Sequence, residues 1–386
     1  MSCIVQDWSN KGRLGASPRE GATLQLTITT TTTTNDKKTE THSLRVIIKQ
    51  VPEKGRPLSQ QLGLAREALF YKHFLSELSD PTTVPKIYYS FGDITKGEKC
   101  VVMEDLSESA VDSAVFFGPG NPNSWNKDLQ SHVNRANEAL GRTISTSEVA
   151  EKTFRVMARI HAKFWKRKDV LLSSDKAWLR GQSWLRGEGH ESWEASQGLV
   201  RSIWHQYTAT ADSTDKKSIT WDPVLKSAVA KAIEGISWEA QMARLNPDHS
   251  HWTLVHGDFW PGNVMWMIRD GSIKLLDWEM CGLGSGPQDL GQYVLSNMEP
   301  AERRANERRL IEAYHEELCA AGVKDVGFDF CWQEYKVGGL ERWLWFLVYF
   351  LGQEGFTDWA QFFHDQMASF MHDHGITADD VTQVRP

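Results

Sequence analysis

Most of the features that assign a sequence quickly are scarce in these 386 residues. The five cysteines (Cys3, Cys100, Cys281, Cys319, Cys331) include no C-x-x-C pair and no zinc-type spacing. That excludes a disulfide framework and a thiolate zinc site, and it suits a reducing compartment. The longest apolar run, Trp343 to Leu351, falls short of the ~20 residues needed to cross a bilayer and reads as a buried helix. Met1-Ser-Cys-Ile-Val-Gln-Asp-Trp8 lacks the apolar core of a signal peptide, so the expected location is cytoplasmic, with no membrane span. Positive charge is in short supply as well. Lys and Arg number 43 against 50 Asp and Glu, a formal net charge of -7, which argues against a nucleic-acid partner and is compatible with a cationic small substrate. Neither phosphate-binding fingerprint, G-x-G-x-x-G or G-x-x-x-x-G-K-[ST], occurs in the Gly-spotted stretch Ser9 to Gly21. Backbone amides there, with the hydroxyls of Ser9 or Ser17, offer a phosphate contact, and a plain β-turn explains the composition equally well.

What is present points to a globular, two-part chain. Hydrophobic residues make up 40% and charged residues 24%, and the length suffices for two domains or one large two-lobed fold. Of the seventeen tryptophans all but one follow residue 120, which implies a large C-terminal core or an aromatic-lined pocket. Residues 1–105 read as a small β-rich lobe, with strands over Thr23 to Thr34 and Ser43 to Val51 about a turn at Asn35-Asp-Lys-Lys38. Residues 106–386 read as a mainly helical lobe, opened by a long connection from 107 to 145. Helices are expected over Ser147 to Lys168, Ser192 to Tyr207, Pro223 to Arg244, Glu302 to Ala321, Phe330 to Phe350 and Thr357 to His374, and from Pro287 onward. His161 falls on the apolar face of the first of these, beside Phe154, Met157, Ala158 and Phe164. It reads as a hydrogen-bonded core histidine bracing a neighbouring loop. The His364, Asp365, His372, Asp373 and His374 cluster reads as solvated charge on a polar C-terminal segment.

The chemistry concentrates in Leu254-Val-His-Gly-Asp-Phe-Trp-Pro-Gly-Asn263 and Ile273-Lys-Leu-Leu-Asp-Trp-Glu279. Asp258 and Asn263 stand five apart, the interval of the Asp and Asn in the kinase catalytic loop H-R-D-x-x-x-x-N. Asp277 ends an alternating run, where a kinase keeps its magnesium-holding carboxylate. Val46-Ile-Ile-Lys49 fits the V-A-I-K strand, with Lys49 reaching for phosphates. A helix from Gln60 to Leu78 carries Glu67, the candidate partner that orients Lys49. Lys99-Cys-Val-Val-Met-Glu-Asp-Leu106 then stands where the hinge would meet an adenine through Met103, Glu104 and Leu106. The order lysine, helix glutamate, hinge, catalytic loop, metal aspartate is more specific than any single member.

His256-Gly-Asp-Phe-Trp-Pro-Gly-Asn263 with Asp277-Trp-Glu279 resembles the aminoglycoside phosphotransferase and choline kinase superfamily. Ile160-His-Ala-Lys-Phe-Trp165 and Arg66-Glu-Ala-Leu-Phe-Tyr71 look like its choline/ecdysteroid kinase-like (CHK-like) branch. The likeness spans residues 45–291. It implies an α+β, two-lobed protein-kinase-like fold, with a small antiparallel N-lobe sheet plus one helix and a large mainly α-helical C-lobe. It also implies ATP and Mg2+ as cofactors and a phosphorylated small-molecule hydroxyl as product. Carried over by residue, Asp258 would be the catalytic base, Asn263 and Asp277 would hold magnesium, Lys49 the phosphates, and Glu67 would orient Lys49. The glycine loop departs from the pattern.

Asp277 is followed almost at once by Cys281-Gly-Leu-Gly-Ser-Gly286, which leaves no room for the activation segment of a protein kinase. A small acceptor is therefore expected, with Trp260, Trp278, Glu279, Glu341 and Trp345 as candidate liners for a cationic or sterol-like molecule. Two alternatives stand beside the kinase: a catalytically inactive kinase-like ligand-binding protein, and a hydrolase pairing Asp258 with His256. The intact set of Asp258, Asn263, Asp277 and Lys49 disfavours the first. The second leaves Lys49 and Glu67 without a role.

Overall fold

Thr and Ile fill the two longest strands because β-branched side chains pack well on a pleated surface. In the computed structural model, which describes residues 22–33, 39–125, 127–209, 218–245 and 251–381, these are β1 (Ala22–Thr33) and β2 (Thr39–Gln50). They pair antiparallel with Leu24 opposite Ile48 and Thr23 opposite Lys49. The Gly-spotted stretch before them and the expected turn at 35–38 lie outside the described residues. After β2 come α1 (Arg56–Leu62), α2 (Arg66–Phe74), β3 (Ile87–Asp93) and β4 (Glu98–Glu104). The sheet order is β1-β2-β4-β3.

The expected single helix over Gln60 to Leu78 is in fact two. Gly63 adopts φ 72°, a left-handed conformation that costs glycine little, and it closes α1 as a C-cap. The buried face of α2 is Glu67, Ala68, Phe70, Tyr71 and Phe74.

Chain contacts divide the molecule into two units, one running as far as Ala110 and including Lys274–Cys281, the other comprising Val111–Ile273 and the chain from Gly282 on. A division at 105/106 takes no account of the Lys274–Cys281 segment, which packs with the first unit.

The second unit opens with β5 (Ala110–Asp112) and then α3 (Leu129–Leu140), inside the stretch expected to be a connection without secondary structure. Asp128 caps α3 by accepting the Ser131 N–H at 3.1 Å. Leu129, Val133, Ala136 and Leu140 fall on one face of it, a short stripe of which only Ala136 is fully buried. The next helix, α4 (Thr146–Phe164), starts with a capping box, in which Ser145 Oγ accepts the Glu148 N–H at 3.1 Å. Two single turns, α5 (Lys168–Leu171) and α6 (Gln182–Leu185), lead to α7 (His190–Ala209). The helix expected over Pro223 to Arg244 is two, α8 (Pro223–Glu234) and α9 (Trp238–Leu245), parted at Gly235.

Strand β6 (Trp252–Val255) pairs antiparallel with β9 (Gly282–Ser285), while β7 (Val264–Met267) and β8 (Ile273–Leu275) lie between them in sequence. Four long helices follow: α10 (Gly286–Asn297), α11 (Pro300–Ala320), α13 (Gly339–Leu351) and α14 (Thr357–His374), with the short α12 (Phe328–Gln333) before α13. A π segment over Glu334–Gly338 joins α12 to α13, so the helix expected over Phe330 to Phe350 runs through without a break. The C-terminal histidines are not simply solvated. His364 is 3% exposed and accepts the Asp222 N–H at 2.8 Å, and His372 Nε2 lies 2.8 Å from Asp222 Oδ2, tying α14 to the start of α8. No described helix is long and apolar enough to cross a membrane.

Candidate active site

In the first unit, β2 and β4 deliver two lysines to one side of the sheet. Val101 stands opposite Lys49, and cross-strand partners in an antiparallel pair share a face. Along β4 the buried positions are Lys99, Val101 and Met103, so period two puts Lys99 on that same face. There Lys49 Nζ lies 2.7 Å from Glu67 Oε1 and 3.0 Å from Asp277 Oδ1. Lys99 Nζ lies 2.9 Å from Glu67 Oε2 and 3.3 Å from Glu279 Oε2. Burial opposes the charge on Lys49, but Asp277, then Glu67 and Glu279 outweigh it and hold the ammonium well above the ordinary lysine value. The same balance, with Glu67 and Glu279 as the opposing charges, raises Lys99.

Three carboxylates face two ammonium groups, which leaves negative charge in excess. Glu279 registers it: burial and then the Asp277 charge push its carboxyl up to about 7, against the pull of Lys99 and Lys49. Carboxylate oxygens of Glu67, Asp277 and Glu279 all lie within 4.8 Å of one another. An excess of hard oxygen donors is the donor set that suits a divalent cation such as Mg2+, so the residues fit such an ion. Asp277 also sits at φ 63°, ψ 55°, one of two non-glycine residues with positive φ among those described. That left-handed conformation is uncommon outside glycine, though aspartate adopts it more readily than most residues.

In the second unit Asp258 and Asn263, the pair expected of a catalytic loop, are in contact. Asn263 Nδ2 donates to the Asp258 carbonyl at 2.8 Å and to Asp258 Oδ2 at 3.1 Å. Pro261–Asn263 forms a 3-10 turn that brings the amide back over Asp258. The loop is anchored from α10: Asp289 Oδ2 accepts the His256 N–H at 2.7 Å and Oδ1 accepts the Gly257 N–H at 3.2 Å. His161 is fully buried, with Nδ1 2.9 Å from the Tyr314 hydroxyl and Nε2 3.6 Å from Asp289 Oδ2. It thus backs the loop's anchor, as a bracing core histidine would. Arg342 of α13 donates from Nη2 to the Gly257 carbonyl at 2.7 Å. Burial brings its guanidinium down to about 10, against the attraction of Asp258 and Asp289.

Sequence reasoning passed over Lys99, Asp289 and Arg342. Lys99 had a local signal, a lysine in register with buried Val101 and Met103. Asp289 and Arg342 are brought to the loop by helix packing alone.

The expected acceptor liners divide. Trp278 is fully buried and stacked on Phe70, with ring centroids 3.9 Å apart and planes 4° from parallel, so it belongs to the first unit's core. Glu279 of the same unit is paired with Lys99 and joins the carboxylate cluster instead. In the second unit Trp260 stands two residues after Asp258, Glu341 is fully buried on α13, and Trp345 is stacked with Tyr349 at 5.6 Å one turn further along.

At the expected hinge, Met103 and Leu106 are buried. The Glu104 N–H donates to the Lys86 carbonyl at 2.9 Å, and its carboxylate is 2.9 Å from Lys274 Nζ. The Leu106 carbonyl accepts the N–H groups of Ser109 at 3.1 Å and Ala110 at 2.9 Å. Part of the backbone edge expected to meet an adenine is therefore engaged within the fold.

Residues 142–328 match the model of the ecdysteroid kinase-like family. That span contains Asp258, Asn263, Asp277 and Glu279. A 4-hydroxytryptamine kinase from Psilocybe cubensis is 30% identical over 79 residues, which cover 19% of this chain and 19% of that protein's own length. Among solved structures, the GDP complex of an aminoglycoside 2'-phosphotransferase-IIIa mutant matches with a TM-score of 0.50 at 11% identity, covering 96% of this chain and 94% of the other. A choline/ethanolamine kinase family protein from Mesorhizobium loti matches with a TM-score of 0.46 at 12% identity, over 96% of this chain and 92% of that one. The fold is the α+β, two-lobed kinase-like one, and the likeness to the ecdysteroid kinase-like branch rests on the family match.

Proposed function

We propose that the chain is a small-molecule kinase that transfers the γ-phosphoryl group of ATP, with Mg2+, to a hydroxyl of a small acceptor. The observation that carries this reading is the Lys49 ammonium fixed between Glu67 and Asp277, at 2.7 and 3.0 Å. A lysine so held is oriented for nucleotide phosphates, beside a carboxylate of the kind that binds the accompanying metal. In this reading Asp277 would hold the magnesium ion, with Glu279 adding charge near it, and Asn263 would be the second ligand that the family resemblance implies. The ion, when bound, neutralises charge on the phosphate oxygens.

The acceptor oxygen attacks the γ-phosphorus in line. A new O–P bond forms, the bond from the γ-phosphorus to the bridging oxygen breaks, and ADP departs. The acceptor proton passes to Asp258, which the Asn263 amide orients. Lys49 balances charge on the phosphates, and most of the acceleration comes from positioning and electrostatics. Met103 to Leu106 is the segment assigned to the base, through the backbone groups that the fold leaves open. Trp260, Glu341 and Trp345 remain the acceptor-side candidates.

The family match supports an acceptor that is a small hydroxylated molecule, and so does a relative named for a hydroxytryptamine. The test is ATP consumption by the full chain with Mg2+ and a panel of hydroxytryptamines, choline-type alcohols, sterols, sugars and aminoglycosides. ADP together with a phosphorylated acceptor is the expected result. Magnesium-dependent ATP binding without turnover of any acceptor favours the inactive ligand-binding alternative, and no ATP binding at all sinks the reading.

A further inference from the structure

Helices α10 and α13 cross almost backbone to backbone. A Cβ built on Gly291 would stand 2.4 Å from the Tyr335 carbonyl oxygen and 2.7 Å from the Gly339 Cα. One built on Gly339 would stand 2.5 Å from the Gly291 Cα. Any side chain at either position would push the helices apart. The π-turn over Glu334–Gly338 supplies the extra residue that lets α12 run into α13 at this crossing. Two side chains are aimed at the catalytic loop as a result. Asp289 lies two residues before Gly291, and Arg342 lies three residues after Gly339 on the first turn of α13.

Together these side chains hold Gly257 from both sides. Asp289 Oδ1 takes its N–H at 3.2 Å, and Arg342 Nη2 reaches its carbonyl at 2.7 Å. That carbonyl belongs to the peptide unit whose nitrogen is Asp258 N, and the Asp258 N–H points to His256 Nδ1 at 3.4 Å. Gly257 has φ 77°, so the peptide turns sharply at this point. Arg342 is 2% exposed, and its Nε has no hydrogen-bond partner among the described residues. A buried guanidinium with an unsatisfied donor is an expensive way to fill space, and an apolar residue of similar volume would pack there at lower cost.

We propose that Arg342 is a positioning residue for Asp258: it fixes the Gly257–Asp258 peptide and thereby the direction of the carboxylate that meets the acceptor hydroxyl. The role rests on the kinase reading given above. A lysine at 342 keeps the charge but lacks the planar fork, so it restores the orientation only in part.

The test uses the full chain with ATP, Mg2+ and whichever panel acceptor turns over, and it compares Arg342→Gln and Arg342→Lys with wild type. The expected outcome for Arg342→Gln is a fall in kcat of about 100-fold, with ATP affinity within about twofold of wild type. Arg342→Lys should recover part of the loss and also covers the case in which the glutamine variant does not fold. In an Asp258→Asn background, the same Arg342 substitutions should cost less than about threefold, because there is no carboxylate left to aim. A purely structural role predicts the full loss on both backgrounds, with ATP affinity falling alongside, and that result overturns the proposal. So does a folded Arg342→Lys or Arg342→Gln variant with wild-type kcat. A wild-type chain that phosphorylates nothing overturns the kinase reading and this role with it, so the two failures are told apart by the wild-type control.

Discussion

Lys99 Nζ lies 2.9 Å from Glu67 Oε2, the carboxylate oxygen that Lys49 does not use. Glu67 is fully buried and is held by two cations, so it cannot rotate without losing one of them. Replacing Lys99 by Met leaves Glu279 without this ion pair and Glu67 with Lys49 alone. The expected cost is about 3 kcal/mol in urea unfolding, in the range for a buried pair with one partner removed. Adding Glu279→Gln should recover part of it at alkaline pH, where the Glu279 carboxyl that has lost Lys99 would otherwise be charged. A double-mutant cycle showing strict additivity would contradict the coupling.

Asp258→Asn should leave nucleotide affinity intact and lower turnover by roughly two to four orders of magnitude. The amide can neither take the acceptor proton nor orient the hydroxyl as the carboxylate does. Calorimetric ATP titration beside steady-state kinetics separates the two quantities, and equal turnover in the variant removes Asp258 from the reaction.

Asp277→Asn is expected to weaken ATP binding only when magnesium is present. The substitution reduces the negative charge available to the ion while Glu67 still holds Lys49. Titrations with Mg2+ and with EDTA should differ in wild type and converge in the variant. An equal loss under both conditions would assign Asp277 to Lys49 alone.

Acid sensitivity should be visible at Asp105. Burial acts to raise its carboxyl, but hydrogen bonds from the Ser107 N–H, Gln25 and Arg45 prevail and hold it at about 2. A folded value below the unfolded one means that the stabilisation is present above pH ~4 and is lost as the pH falls toward 2. Urea midpoints measured between pH 5 and pH 2 should therefore fall less steeply in Asp105→Asn, from a lower starting value. Parallel slopes in the two proteins would show that another group carries the effect.

Trp278→Ala should destabilise the protein by about 3–5 kcal/mol, because it removes a fully buried ring stacked on Phe70. Trp278→Phe keeps most of the packing and should leave the acceptor KM unchanged. A large KM effect in the phenylalanine variant would return Trp278 to the acceptor side.

The sequence alone was sufficient wherever function is written in local spacing. The five-residue interval from Asp258 to Asn263 became a real contact because a short loop closed by a 3-10 turn leaves the amide few other places to go. Lys49 and Glu67 were legible because a strand lysine and a glutamate on a helix after it stand in the order that a kinase uses. A long amphipathic helix such as α4 declared itself by periodicity, whereas α3, only twelve residues long and polar between Leu129, Val133, Ala136 and Leu140, was passed over within a loop-like stretch.

Tertiary structure decided what periodicity cannot carry. Trp278 and Trp345 look alike in a sequence, and only packing sends one into the core against Phe70. Lys99 reads as an ordinary strand charge until Glu67 and Glu279 close around it. Asp289 and Arg342 meet at Gly257 because Gly291 and Gly339 let two helices touch, though these residues stand far apart along the chain. Spacing along a strand or loop is fixed by covalent geometry, whereas a meeting between distant helices depends on which side chains are small enough to let their backbones approach.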